Sequence, residues 1–323
     1  TTAPAAAAAT TEILATKISL AEAVRRLKAG PVYAAQPSGR RHLTREAADG
    51  TTFHYWVDVP ATYAPSRRYP LRVILHGGVT DQSPGGDPGQ SGLSDEDDAI
   101  VVAPVAWRDA PWWSPAQLSN LEAILASLGR EYNIDENRVS VMGVSDGGSG
   151  AYFLAMRAST RYAALLPFNG FLPVLGNQGY TLNDRIFPNN LKNKPLFVVN
   201  GGRDPLYPAD AVTPHVDDMR ANRVSVEYRP QPDAAHDTTW WPTIRPEVHR
   251  FLAEHPRDPL PDVLTWELGE DDPYNRVHWL IIDRLMAEPG ADVPVTDVDR
   301  FRRRSAGAGS PLFGYRAPAG RVD

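Results

Sequence analysis

Cysteine is absent from the 323-residue chain. Its absence removes disulfide staples, thiolate metal sites and a cysteine nucleophile together. It leaves the compartment open, because a chain of this size can bury a core without staples. No apolar run is long enough to cross a bilayer as a helix. Basic residues are not in excess: 33 Lys and Arg stand against 39 Asp and Glu, a net charge of -6. That balance points away from nucleic acid or an anionic membrane as the main partner. With 42% hydrophobic and 22% charged residues, composition excludes a disordered or fibrous chain. Internal repeats are also lacking. Residues 1–10 are Thr, Ala and Pro, without the basic and apolar regions of a signal peptide. They read as the start of a secreted or periplasmic chain whose signal has been removed, or as a disordered tail.

What is present is an alternation of strand and helix patterns. Residues 16–29 place Ile18, Leu20, Ala21, Val24 and Leu27 at helical spacing, and Gly30-Pro31 ends the run. Strands are expected at 51–60, 71–75, 99–105, 138–144, 163–168, 195–200 and 224–229. Helices are expected at 115–132, 150–158, 213–221 and 242–254. Such alternation predicts an α/β chain, with a mostly parallel central sheet and helices on both faces. Ligands in such sheets bind beyond the carboxyl ends of the strands. A long polar loop covers 77–92, and long loops of that kind are functional or disordered. Three regions follow: an N-terminal tail and helix (1–50), a main α/β domain (51–255), and a C-terminal extension (256–323). The extension opens on a Pro-rich connector, carries two further elements at 263–268 and 277–285, and ends in a basic, then Gly/Ala/Pro-rich stretch from 300. It reads as packing on the core or as the beginning of another module.

The strand at 138–144 runs into Gly143-Val144-Ser145-Asp146-Gly147-Gly148, with a helix expected after it. G-x-S-x-G between strand and helix holds a serine in a strained tight turn, its Oγ clear of the sheet. Ser145 is therefore the candidate nucleophile. The strand at 71–75 ends in His76-Gly77-Gly78. A backbone N–H there and that of the residue after the serine, Asp146, are the expected oxyanion donors. Gly78 is the first choice, Gly77 the second, and His76 is structural.

Where a turn of this kind carries a nucleophile, the chain order is serine, acid, histidine. Of eight histidines, His236 follows the strand at 224–229 in a loop and precedes the last helix. His249 and His255 read as surface residues of that helix, His278 as a packed or capping residue of the tail, and His215 lies near a helix start. His236 is the candidate base. Asp204 follows the strand at 195–200 through Gly201-Gly202-Arg203 and is the candidate acid, with Asp233, Asp237 and Asp210 as rivals. Asp237 reads as a local cap.

Trp107, Trp112 and Trp113 follow the strand at 99–105, and Trp240 and Trp241 follow His236. Both loops should border the site, where exposed aromatic faces would stack on substrate. The alternative for each is packing of its loop onto the core. Asp81, Asp87 and Asp95-Glu96-Asp97-Asp98 lack an EF-hand pattern and read as a solvated acidic loop, so no metal is expected.

Together, 55–63, Tyr69-Pro70-Leu71, His76-Gly77-Gly78, the Ser145 turn, Asn200-Gly201-Gly202-Arg203-Asp204-Pro205 and Ala235-His236-Asp237 resemble bacterial phospholipase/carboxylesterase-type α/β-hydrolases. These are similar to polyhydroxyalkanoate-depolymerase-like and feruloyl-type esterases, and to the catalytic domain of prolyl-oligopeptidase-type enzymes. The resemblance covers about 55–255. It implies the α/β-hydrolase fold, a Ser145–His236–Asp204 triad, main-chain oxyanion donors and no cofactor. Asp146 departs from the Met or Ala common at its place, and a carboxylate there could repel anionic substrates. The expected function is a serine esterase acting on small-molecule or polymeric esters. The alternatives are a serine peptidase or amidase, and a non-catalytic polymer- or carbohydrate-binding protein. The short stretch before the core, without a large gating domain, favours the esterase.

Overall fold

The computed structural model describes residues 11–12, 14–88, 93, 98–176, 186–269, 274–282 and 321–322. The expectations for 1–10, for Asp95 to Asp97, for the end of the element at 277–285 and for the basic stretch from 300 lie outside these residues, apart from 321–322.

Eight strands form one sheet in the order β1-β2-β4-β3-β5-β6-β7-β8. They are β1 (Gly39–Glu46), β2 (Thr52–Val59), β3 (Tyr69–Leu75), β4 (Ile100–Pro104), β5 (Ile134–Val144), β6 (Ala164–Phe168), β7 (Leu196–Gly201) and β8 (Val226–Gln231). The first two pair antiparallel with each other, and β2 runs antiparallel to β4. From β4 to β8 every pairing is parallel. Helix α1 (Leu20–Ala29) precedes the sheet. Helices α2 (Pro115–Glu131), α3 (Asp146–Arg157), α4 (Ala209–Ala221) and α5 (Trp241–Glu254) follow β4, β5, β7 and β8.

The central strands are apolar on both sides, and their period of two sorts them between two cores. Leu71, Val73 and Leu75 of β3, Val139 and Val141 of β5, and Leu196 and Val198 of β7 join α2, α3 and α4 in one core. Ile74, Met142, Ala164, Leu166, Phe197 and Val199 face the other way, onto Trp241, Ile244, Val248 and Phe251 of α5. Helices therefore cover both faces. Helix α2 starts where Ser114 caps it, its hydroxyl accepting the Gln117 N–H, with Pro115 at the first turn. Such a cap contributes about 1 kcal/mol.

Strand β1 carries no alternating apolar signal, and the sequence reading passed over it. Its inward side chains are Arg41, Leu43 and Arg45. Arg41 lies over the Tyr132 ring and pairs with Glu131; Arg45 lies over Phe53 and donates to Asn120 Oδ1. The arginine stems supply the covering surface while their heads stay paired. At the opposite sheet edge β8 carries Pro230 and the ion pairs of Arg229 with Glu227 and Glu247. Helix α1 begins at Leu20 behind a Ser19 cap, later than expected, and buries no residue.

The region after α5 docks on the body. Asn190 donates to the Glu267 carbonyl and accepts the Glu267 N–H; Asn193 does the same with Thr265. Leu264, Trp266, Leu268 and Val277 bury together beneath it. Lys194 and His278 are both buried at this contact. Burial, and then the positive charge of Arg257, hold the Lys194 amine down to about 7 from the ordinary 10.5, with Asp258 opposing. Burial and the Lys194 charge pull His278 down to about 4. A base with a lowered folded value binds fewer protons folded than unfolded, so stability rises with pH across the interval between the two values. The melting temperature of the wild type is therefore expected to climb from pH 7 toward pH 10. Lys194→Met should melt higher at pH 7 and flatten that climb. Parallel melting profiles for the two proteins between pH 7 and 9 would refute this.

Candidate active site

Strand β5 passes into α3 at Ser145, whose backbone has φ 57 and ψ -117. A non-glycine residue held there is strained by roughly 1–3 kcal/mol. The surroundings enforce it. The Ser145 N–H donates to the Phe168 carbonyl at 2.9 Å. A Cβ on Gly143 would lie 1.9 Å from the Gly147 carbonyl oxygen, and one on Gly147 would lie 2.0 Å from that of Leu75. Only glycine permits this turn to cross so close to the end of β3.

His236, in the turn after β8, brings Nε2 to 2.8 Å from Ser145 Oγ. Its Nδ1 lies 2.6 Å from Asp204 Oδ2. The other oxygen of Asp204 accepts the Leu206 and Tyr207 N–H groups at 2.8 and 3.0 Å. Burial pushes the Asp204 carboxyl up. The bond to His236 and the two N–H groups outweigh that and hold it below the usual carboxylate range. An ionised Asp204 can only accept, so Nδ1 carries the imidazole proton, and Nε2 is left to accept the Ser145 hydroxyl proton. The predicted serine, histidine and aspartate thus come together from the carboxyl ends of β5, β8 and β7.

The rivals lie elsewhere. Asp233 pairs with Arg203 in solvent. Asp237 caps its own turn, accepting Thr239 N and Oγ1. Asp210 sits in the first turn of α4. His255 is half-buried against Phe251 rather than on the surface.

Gly77 lies against Ser145: a Cβ there would be 2.8 Å from Ser145 Cβ. Gly78 follows with φ 64, and its N–H meets no acceptor among the described residues. His76 is buried behind them. Its Nε2 accepts the Ala106 N–H at 3.0 Å, so Nδ1 donates to the Gly77 carbonyl at 2.7 Å. Burial lowers its proton affinity and keeps it in that neutral form.

The five tryptophans require a correction. Trp107, Trp112, Trp113, Trp240 and Trp241 are 8%, 0%, 4%, 5% and 2% exposed, so none offers an open face to a ligand. Trp107 packs on Phe53, and Trp240 and Trp241 pack on Phe168. Trp112 lies against Gly150 and donates its indole N–H to the His76 carbonyl at 2.8 Å. Rings of this size contribute most where their whole surface leaves water. A polymer-binding surface built on them is therefore excluded. Of the acidic loop, Asp98 accepts from Thr62 and pairs with Arg67, and Asp87 pairs with Arg40.

Two contributors were missed by the sequence reading. The Tyr207 ring meets His236 edge-on, with centroids 5.8 Å apart, and stacks on Phe171. Asn169, at φ 46 just beyond β6, donates to the Asp237 carbonyl at 2.8 Å and anchors the histidine loop. Their positions after strand ends were the available signal.

No family model and no curated protein matches this sequence. Solved structures do. A thermostable esterase aligns with 24% identity and a TM-score of 0.54, over 68% of this chain and 63% of that one. A ferulic acid esterase aligns with 17% identity and a TM-score of 0.52, over 67% of this chain and 99% of that one. Porphyromonas gingivalis dipeptidyl peptidase 4 aligns with 14% identity and a TM-score of 0.50, over 68% and 36%. The chain has the α/β-hydrolase fold, as its motifs led us to expect.

Proposed function

We propose that the chain is a serine esterase that hydrolyses carboxylic esters through an acyl-enzyme. The observation that carries this reading is the hydrogen-bonded line from Ser145 through His236 to Asp204. Ser145 Oγ attacks the ester carbonyl carbon as His236 Nε2 takes its proton. The carbonyl oxygen becomes an oxyanion facing the N–H groups of Gly78 and Asp146, with Gly77 giving the substrate close approach. Collapse breaks the bond to the alcohol, which leaves with the proton from His236. Water then attacks the acyl-enzyme, giving its proton to His236, and the carboxylate product leaves with Ser145 Oγ restored. Asp204 holds the imidazole tautomer and stabilises the imidazolium in both halves. This chemistry calls for no metal or organic cofactor.

The second reading is a serine peptidase, which the likeness to dipeptidyl peptidase 4 favours. The likeness to a thermostable esterase and a ferulic acid esterase favours the first reading. Release of p-nitrophenol from acyl esters of increasing chain length, beside dipeptidyl p-nitroanilides, separates the two. Ester turnover with little amide cleavage is expected. Faster cleavage of the anilides would replace the esterase with the peptidase, and inactivity on both would overturn the serine hydrolase.

A further inference from the structure

The residue that follows the nucleophile has a role in its side chain as well as in its backbone. Asp146 is the first residue of α3 and is half-buried. Its Oδ2 accepts the N–H of Val79 at 3.0 Å. Val79 is itself buried and ends the His76-Gly77-Gly78 segment. We infer that Asp146 is a positioning residue: its carboxylate clasps the glycine loop to the nucleophile turn and so sets the Gly78 N–H relative to Ser145 Oγ.

Several hydrogen bonds hold this loop, among them the Asp81 N–H to the Gly78 carbonyl at 3.1 Å and Arg108 Nη2 to the Thr80 carbonyl at 3.2 Å. Behind it, His76 Nε2 accepts the Ala106 N–H, and the Trp112 indole N–H donates to the His76 carbonyl. Both lie ahead of the glycines. After the glycines, Asp146 makes the only side-chain bond to Val79 among the described residues. Gly78, between these fastenings, has a left-handed backbone and open space where a Cβ would stand. No contact at that position fixes it; its carbonyl accepts the Asp81 N–H at 3.1 Å, and its neighbour Val79 is held by the core through its side chain and by Asp146 through its N–H. A bond from N–H to an ionised acceptor is about twice as strong as a neutral one. The carboxylate also sits at the positive end of α3, which favours its charge there. Both oxyanion donors then hang from one residue: the Asp146 N–H directly, and the Gly78 N–H through the Asp146 side chain. A donor must lie within a few tenths of an ångström of its place to stabilise the oxyanion, and a misplacement of about 1 Å costs on the order of 100-fold in rate.

This inference rests on the esterase reading for its kinetic test. With p-nitrophenyl butyrate, Asp146→Ala is expected to lower kcat by about 10- to 100-fold with KM changed less than about threefold. Asp146→Asn keeps an oxygen acceptor and should recover most of that loss. An alanine variant with kcat within about twofold of wild type overturns the inference, as does a loss carried by KM alone. Amide hydrogen exchange at Val79 reads the clasp without any turnover. Exchange should be slow in wild type and in Asp146→Asn, and faster in Asp146→Ala at unchanged melting temperature. Equal exchange in all three overturns the clasp even if the esterase reading stands. Faster exchange in the alanine variant supports it even if esters prove not to be the substrate.

Discussion

Ser145→Ala is expected to lower kcat for p-nitrophenyl esters on the order of 10⁴- to 10⁶-fold, while the protein melts within about 2 °C of wild type. The size follows from what is lost. In the proposed mechanism, loss of Oγ removes the acyl-enzyme and the proton that His236 takes, so any residual rate would come from the oxyanion donors and binding alone. The small change in stability follows from what is kept. Alanine retains the Cβ, so the strained backbone at φ 57 and the N–H bond to Phe168 are both unchanged. The hydroxyl contributes one bond, to an imidazole still held by Asp204. Turnover in the alanine variant within tenfold of wild type would remove Ser145 from the chemistry. A collapse in melting temperature would show that the variant had tested the fold instead.

Gly147→Ala is expected to destabilise the protein by about 3 kcal/mol, near the upper end for overpacked sites. At roughly 2–4 °C per kcal/mol for a domain of this size, the melting temperature falls by about 6–12 °C. The added methyl would stand 2.0 Å from the Leu75 carbonyl oxygen, 2.5 Å from its carbon and 2.9 Å from the His76 oxygen. All three are backbone atoms of β3 and the segment after it, which cannot swing aside as a side chain could. The turn must lift away from the glycine loop, so ester turnover should fall with stability. A variant melting within 2 °C of wild type would mean that the turn has slack the contact distances do not show.

Much of this arrangement was legible because its signals are local. Glycine on either side of Ser145, and loops after strand ends at Asp204 and His236, mark backbone that must turn sharply, and such turns leave their residues in the sequence. What was not legible depends on tertiary partners. The inward face of β1 reads as charged, because Arg41 and Arg45 cover the sheet with their stems and find Glu131 and Asn120 only through the fold. The tryptophans look the same in sequence whether they line a mouth or fill a core, and neighbours such as Phe53 and Phe168 decide the matter. The expected helix at 150–158 begins instead at Asp146, since Gly147 and Gly148 weaken the helical pattern just where close contact with β3 and β6 requires them. The Asp146 carboxylate stood out as a departure from Met or Ala, but its bond was not legible, because its partner is a main-chain group 67 residues away.

The two outer strands have a consequence for the protein in concentrated solution. A sheet ends in rows of unpaired main-chain groups, and a second molecule can extend it there as the first step of aggregation. At one end, β1 surrounds that row with Arg40, Arg41, Arg45 and Glu46. At the other, Pro230 withholds a donor from β8, and Arg229 is engaged by glutamates. Each edge makes a foreign strand bury charge or forgo a hydrogen bond. Crowded copies, in a cell or in a refolding vessel, are thus discouraged from joining edge to edge.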